Sequence, residues 1–282
     1  MPFIRSNKVL FLLFLLIFAF KSHAQKIKSE DVVAKHLDSI GTAEKRASVK
    51  NQIVVGDAMV NFITQKTAPL LGRIVLASAG EKNFLGMKLG SVDYPSERFS
   101  YDGKKGKVSF VRAGIRSVLG NFILSNESIL QEGLLGGTLS SSWALLDTAS
   151  KKAKLSLSGT KKIGGKEAYV LNYLPKGGSD IDINLYFDKE TFNHIRTEYK
   201  RISSAGIGIT PDQSSRFNES RLSLVENFSD FRAEFGLTLP HSYRILYTIT
   251  GQGTTEIEWT FKLNEFAFNQ NLAANTFDAE AN

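Results

Sequence analysis

The stretch 225-VENFSDFRAEFGLTLPHSYRI-245 decides the fold, because it contains two strand-like runs joined by a short turn. Apolar and polar residues alternate on both sides of Gly236, as in antiparallel strands with one face on a core. Glycine suits a turn with unusual backbone angles, and Pro240, which donates no ladder hydrogen bond, suits a strand edge. His241 and Arg244 add polar groups near one rim. We interpret the stretch as scaffold rather than as a functional site.

The same alternation recurs before and after this hairpin, between glycine-containing turns. It predicts a large antiparallel sheet in which hairpins follow one another along the chain. The predicted strand regions are QIVVGDAMVNFI (52–63), GRIVLASAG (72–80), KNFLGMKLG (82–90), ERFSYDGKKGKVSFVR (97–112), KLSLSGTKKIGGKEAYVLNYLP (154–175), INLYFDKETFNHIRTEYKRI (183–202), LTLPHSYRILYTI (237–249) and TTEIEWTFKLNEF (254–266).

Two regions have helical rather than strand periodicity. Near the start, Ser29 is a suitable N-cap, Gly41 a suitable stop, and the apolar residues between them share one face. His36 lies off that face and is expected at the surface. Residues 113–147 contain short, very apolar helical runs interrupted by Gly136 and Gly137. Such short helices are not stable alone and must pack on the sheet.

Together these patterns predict an α+β fold. We expect a large curved antiparallel β-sheet that forms an unclosed barrel, an N-terminal helix, and short apolar helices covering the concave face. No linker or repeat divides the mature chain, so residues 25–282 are expected to form a single domain.

Residues 1–24 are typical of a secretory signal peptide. Arg5 and Lys8 precede an apolar run over 9–20, and Ser22-His23-Ala24 predicts cleavage near Ala24–Gln25. The run is too short for a spanning helix, and the chain contains no cysteine to carry a lipid. The mature protein is therefore expected in the periplasm or outside the cell, without a stable membrane anchor and without disulfides.

The net positive charge that the mature chain keeps after loss of residues 1–24 does not indicate nucleic acid as a partner. The basic clusters DGKKGK (102–107) and SKKAKLSLSGTKKIGGK (150–166) are interrupted by glycines and strand-like residues. We interpret their lysines as solvated turns and edge-strand charges that discourage aggregation. Binding of these clusters to anionic lipid or to nucleic acid is the less favoured alternative.

Patterns for catalysis and metal binding are missing from the sequence. It has no G-x-S-x-G, H-E-x-x-H or Walker motif, and its histidines are too widely separated for a zinc site. The pairs Asp180/Asp182 and Glu256/Glu258 share a strand face, but paired acids on a solvated face are far commoner than glycosidase carboxylates. We predict no enzyme activity and no cofactor, and keep a secreted hydrolase only as a weak third hypothesis.

Several segments resemble the outer-membrane lipoprotein-carrier fold, the LolA/LolB-like superfamily. They are VVAKHLDSIG (32–41), GGKEAYVLNY (164–173) with LYFDKETFNHIRTEYK (185–200), and NFSDFRAEFGLTLPHSYRI (227–245). The resemblance covers most of the mature chain and rests on strand and turn motifs, not on catalytic residues. It implies an unclosed barrel whose helices lid an apolar cavity that holds acyl chains.

We therefore predict a non-enzymatic periplasmic carrier or binder of lipid or lipoprotein acyl chains, so its partners would be lipids or acylated proteins. The residues expected to line the cavity are Ile115, Leu119, Phe122, Ile123, Leu134, Trp143, Phe187 and Trp259. The alternative for these residues is an ordinary core that the helices fill. The alternative function is an interaction or sensor module that uses the same fold to bind an envelope protein without a lipid ligand.

Overall fold

The computed structural model describes residues 27–203, 219–251 and 253–281. The predicted signal peptide and most of the polar loop at 205–220 lie outside these residues. The helices are α1 (Ser29–Ile40), α2 (Ala43–Ser48), α3 (Val118–Ser125), α4 (Ser128–Gln131) and α5 (Thr148–Lys151), with a 3-10 turn at Gly137–Leu139. None of the described helices has both the length and the apolar composition needed to cross a membrane.

Within the residues that the structure describes, twelve strands form one antiparallel sheet. They are β1 (Asn51–Phe62), β2 (Leu70–Ala79), β3 (Lys82–Leu89), β4 (Ser96–Tyr101), β5 (Gly106–Val108), β6 (Lys154–Ile163), β7 (Lys166–Leu174), β8 (Asp182–Asp188), β9 (His194–Ser203), β10 (Ser220–Glu234), β11 (Leu237–Thr250) and β12 (Thr254–Phe268). Their spatial order is β5-β4-β3-β2-β1-β12-β11-β10-β9-β8-β7-β6. The predicted α+β class and the predicted hairpins are confirmed.

The strand order places β5 at one edge of the sheet and β6 at the other. Consecutive in sequence, they are joined by residues 109–153, which we call the covering segment. This segment must cross the whole sheet, and it carries α3, α4 and α5.

Two contacts of the covering segment show how strongly the sheet curls. The amide of Asn83 on β3 donates to the Leu130 carbonyl at 2.8 Å, and the Tyr173 hydroxyl on β7 donates to Glu132. Strands β3 and β7 are eight places apart in the sheet, a distance of about 38 Å if the sheet were flat. Since residues 130 and 132 are near neighbours in the chain, the sheet must wrap around the segment between them. The barrel remains unclosed because β5 and β6 do not pair.

The stretch 225–245 forms the hairpin of β10 and β11. Gly236 has φ +76° in the turn between β10 and β11. Strand β11 is central rather than peripheral, but its pairing with β12 begins only at Ser242. Pro240 pairs with Phe231 on β10 alone. The missing N–H of Pro240 therefore removes no ladder hydrogen bond, which is how a central strand tolerates it.

The basic clusters lie at the two edges of the sheet, as their interpretation requires. Lys104, Lys105 and Lys107 belong to the turn into β5 or to β5 itself, and Lys161 and Lys162 are exposed on β6. Charged side chains on an edge strand oppose pairing with another sheet. The lysines therefore lie where their charge would oppose such pairing at either open edge.

Candidate functional site

The predicted cavity residues gather between the covering segment and the concave face, with one exception. The buried members are Leu119, Phe122, Ile123, Leu134 and Trp143 of the covering segment, Phe187 on β8 and Trp259 on β12, all below 5% exposed. Ile115 is 50% exposed and is not part of this buried group. The seven buried residues are part of one continuous hydrophobic core.

Aromatic contacts connect the covering segment to the sheet. The Phe122 ring lies 6.4 Å from the rings of Tyr199 on β9 and Tyr247 on β11, in edge-to-face geometry. Trp143 stacks on His194 of β9, with the ring centroids 4.7 Å apart. Phe187 lies 5.5 Å from the same histidine. Trp143 and Phe187 thus share one aromatic cluster, which the sequence did not predict.

His36 is completely buried, so the prediction of a surface histidine is wrong. It lies three and four residues after Val33 and Val32, on the same helical face, and this spacing was visible in the sequence. The indole Nε1 of Trp143 donates to His36 Nε2 at 3.0 Å. Its Nδ1 lies 3.0 Å from the Phe192 carbonyl. Since Nε2 accepts, Nδ1 must carry the proton and donate, which fixes a neutral tautomer.

The surroundings keep both buried histidines neutral. Burial lowers the pKa of His36 to about 4, and the charge of Arg46 acts in the same direction. Burial also holds the pKa of His194 well below its usual value. The neutral His36–Trp143 hydrogen bond therefore ties α1 to the covering segment throughout the neutral pH range.

A second polar anchor joins the covering segment to β10. Glu226 is completely buried, and its Oε1 accepts from the Gly136 N–H at 2.8 Å and from the Tyr243 hydroxyl at 2.5 Å. Its Oε2 accepts from the Tyr199 hydroxyl at 2.8 Å. Burial raises the pKa of Glu226 to about 7, although the three donors oppose the shift. Gly136 and Gly137, the predicted break, have φ +81° and +52°.

Smaller polar contacts complete the attachment. The Ser141 N–H and hydroxyl lie 2.7 Å and 3.0 Å from the Ser78 hydroxyl of β2. The Gly106 N–H on β5 donates to Glu127 at 2.5 Å. Together with the contacts of Asn83 and Tyr173, these hydrogen bonds attach the covering segment to both halves of the sheet. The covering segment is thus held by apolar packing and by side chains that could equally hydrogen-bond to water.

Little space remains under the covering segment in this closed arrangement. One cavity of about 40 Å³ lies between α1, β1, β11 and the segment, and Gln52, Thr138 and Trp143 are among its lining residues. Another of about 10 Å³ lies beneath Leu135 and Leu139. The first could hold a few water molecules, but neither could hold an acyl chain.

The buried acids were missed by the sequence reasoning, although a signal existed. Glu226 lies two residues from both Leu224 and Phe228, on the same inward face of β10. Glu97 likewise lies two residues before Phe99 on β4. An acid at an inward position of a period-two pattern is expected to be buried. Among the described residues, no group of three His, Asp or Glu side chains could hold a metal ion.

Comparison with known proteins gives matches only among solved structures. No protein-family model and no curated protein matches the chain. A LolA superfamily protein from Nitrosomonas europaea matches at 11% identity with TM-score 0.46, and an outer membrane lipoprotein-sorting protein domain from Vibrio parahaemolyticus at 12% with TM-score 0.48. A DUF1329 family protein from Desulfovibrio piger matches at 12% with TM-score 0.41. Each alignment covers 89% of this chain and 97% of the other.

Proposed function

We propose that this protein is a non-enzymatic carrier or binder of acyl chains, from lipids or lipoproteins, in the periplasm. The acyl chain would lie on the concave face of the sheet, in the space that the covering segment now fills. The observation that carries the proposal is the attachment of that segment. Apolar side chains cover an apolar sheet face, yet discrete polar contacts at His36, Glu226, Asn83 and Ser78 hold the segment in place.

The covering segment is suited to movement as a unit. Its helices have eight, four and four residues, and helices this short depend on tertiary packing. Gly133, Gly136 and Gly137 have positive φ, so the connections between them can change conformation at low cost. Its polar contacts can be exchanged for contacts with water when it lifts.

The free energy of burying an acyl chain is large enough for the chain to replace the covering segment on the concave face. Removing each CH₂ group from water contributes about 0.8 kcal/mol, so a chain of about 16 carbons contributes roughly 13 kcal/mol. That gain is available to offset the contacts that the covering segment loses. A charged anchor is not needed for affinity. The predicted signal peptide over 1–24 would deliver the protein to the compartment in which such ligands are transported.

A disulfide between the covering segment and the sheet tests this proposal. In the double variant Ser78→Cys/Ser141→Cys, the sulfur atoms would replace hydroxyl oxygens that lie 3.0 Å apart, within reach of a disulfide without large backbone movement. The natural chain has no cysteine, so no other disulfide can form within one molecule. We expect the oxidised variant to lose acyl-chain binding and the reduced variant to regain it. Native mass spectrometry with lipid extraction measures both states.

Single variants Ser78→Cys and Ser141→Cys serve as matched controls and should bind under oxidising conditions. Binding by the fully oxidised double variant would show that the covering segment need not move. If no form carries lipid after exposure to envelope lipids, the acyl-chain proposal fails. Recovery of one stoichiometric protein partner in that case would favour the interaction-module alternative.

A further inference from the structure

The larger of the two cavities contains polar groups that have no role in holding the fold together. It has a volume of about 40 Å³ and lies between α1, β1, β11 and the covering segment. Gln52 of β1 and Thr138 of the covering segment line it and are 2% and 6% exposed. Neither the Gln52 Nε2 nor the Thr138 Oγ1 has a hydrogen-bond partner among the residues that the structure describes.

Arg46 of α2 adds a positive charge to the wall of the same cavity. Its Nη1 donates to the carbonyls of Leu37 and Gly41 at the end of α1, which holds the guanidinium group in place. These carbonyls carry no net charge, and no described Asp or Glu forms an ion pair with Arg46. None of the described residues that line the cavity is acidic. The cavity therefore combines a cation with two polar side chains that lack partners.

These groups select one kind of ligand. The guanidinium group of an arginine matches the two oxygens of a carboxylate, and amide and hydroxyl groups add further donors. An ammonium group would instead face the like charge of Arg46. A cavity that suits a few water molecules also suits a carboxylate, but not the larger headgroup of a phospholipid. Buried polar groups without partners are costly, and native proteins seldom keep them without a reason.

We propose that this cavity binds the carboxylate end of a free fatty acid, with Arg46 as the counter-ion and Gln52 and Thr138 as donors. The inference rests on the proposed acyl-chain function and names its ligand class, because an esterified or amide-linked chain has no free carboxylate. Gln52 and Arg46 lie outside the covering segment, so both can hold the carboxylate while that segment lifts. The apolar side chains of Trp143 and Leu239 line the same cavity and would contact the start of the chain.

Alkyl probes that share one chain and differ at one end test the proposal. Calorimetric titration of the full mature protein with decanoate and with decan-1-ol gives the affinity ratio of the carboxylate end to the hydroxyl end. We expect decanoate to bind more tightly, by roughly ten- to a hundredfold, as a hydrogen bond to a charged group contributes. The double variant Gln52→Met/Thr138→Val keeps the side-chain sizes but removes both donors, so the ratio should fall roughly tenfold.

Ser109→Ala is the matched control for the double variant. The Ser109 hydroxyl is likewise buried and without a described partner, but it does not line the cavity. This variant should keep the affinity ratio of the wild type. A fall in the ratio of the same size as in the double variant would show that the cavity does not select the carboxylate.

The melting temperature of the double variant separates ligand binding from a structural role. Apolar side chains replace polar groups that lack partners, so we expect the melting temperature to stay the same or to rise. A marked fall would show that Gln52 and Thr138 support the fold, and would overturn their assignment. Equal affinities of the wild type for both probes, or an unchanged ratio in the double variant, would overturn the carboxylate site and leave acyl-chain binding in place. If neither probe binds the wild type, the proposed function fails and this inference fails with it.

Discussion

Replacing Glu226 with leucine is expected to lower the free energy of unfolding by roughly 3–5 kcal/mol. Leucine fills a similar volume but accepts no hydrogen bond. The Gly136 N–H and the hydroxyls of Tyr199 and Tyr243 would lose their shared acceptor in a region closed to water. Each unpaired buried donor costs about 1–3 kcal/mol. Denaturant-induced unfolding, followed by circular dichroism, measures the loss.

The matched control for this prediction is Glu226→Gln. Its amide keeps one oxygen acceptor, and its NH₂ group can donate to a tyrosine hydroxyl, so we expect a smaller loss of about 1–2 kcal/mol. Hydrogen exchange around Gly136 should accelerate more in the leucine variant than in the glutamine variant. A loss below about 1 kcal/mol for Glu226→Leu would mean that the three donors find other acceptors, and Glu226 would not be an anchor.

Lowering the pH from 7 to 4 is expected to stabilise His36→Gln relative to the wild type by about 3 kcal/mol. The pKa of His36 falls from 6.5 to about 4 on folding. Below pH 6.5 the unfolded chain takes up a proton that the folded protein does not, so the wild type loses stability until the pH reaches about 4. Glutamine does not titrate, yet it can accept from Trp143 and donate to the Phe192 carbonyl. Unfolding free energies at several pH values measure the difference.

Comparison with the variant is necessary because two acids act in the opposite direction. The pKa values of Glu97 and Glu226 are raised to about 8 and about 7, so protonation stabilises the folded state as the pH falls towards 4.5. These contributions are present in both proteins and cancel in the difference. Ser39→Ala, which removes a hydroxyl bonded to the same Phe192 carbonyl, should give a pH-independent difference. A similarly pH-independent difference for His36→Gln would show that His36 titrates normally.

The sheet could be predicted from the sequence because the alternation of apolar and polar residues within each strand shows which face of that strand is buried. The alternation around Gly236, and the turn after Asp188, depend on neighbouring residues alone. The covering segment was likewise visible as an apolar region unlike its surroundings. Its route from β5 to β6 was not visible, because strand order depends on pairings between distant residues.

The candidate site could be predicted only in its apolar part. Leu119, Phe122 and Trp143 are buried as expected, since large apolar side chains at regular spacing usually face a core. The polar anchors were missed because an isolated His or Glu is usually exposed. The prediction followed this general tendency, although the spacing of His36 and Glu226 places both on an apolar face. Only the folded chain brings Glu226 to Gly136, 90 residues away.

The pairing of β1 with β12 has a consequence for how the chain folds. Gln52 lies opposite Phe268, so the centre of the sheet joins the first strand to the last. Such a pairing closes a very long loop. The chain loses conformational entropy when the loop closes, before the stabilising contacts between the two strands have formed. Folding should therefore be slow and should finish only after the whole chain has emerged. Until then, each half of the sheet exposes an unpaired central strand, so newly made chains will benefit from chaperones that prevent aggregation.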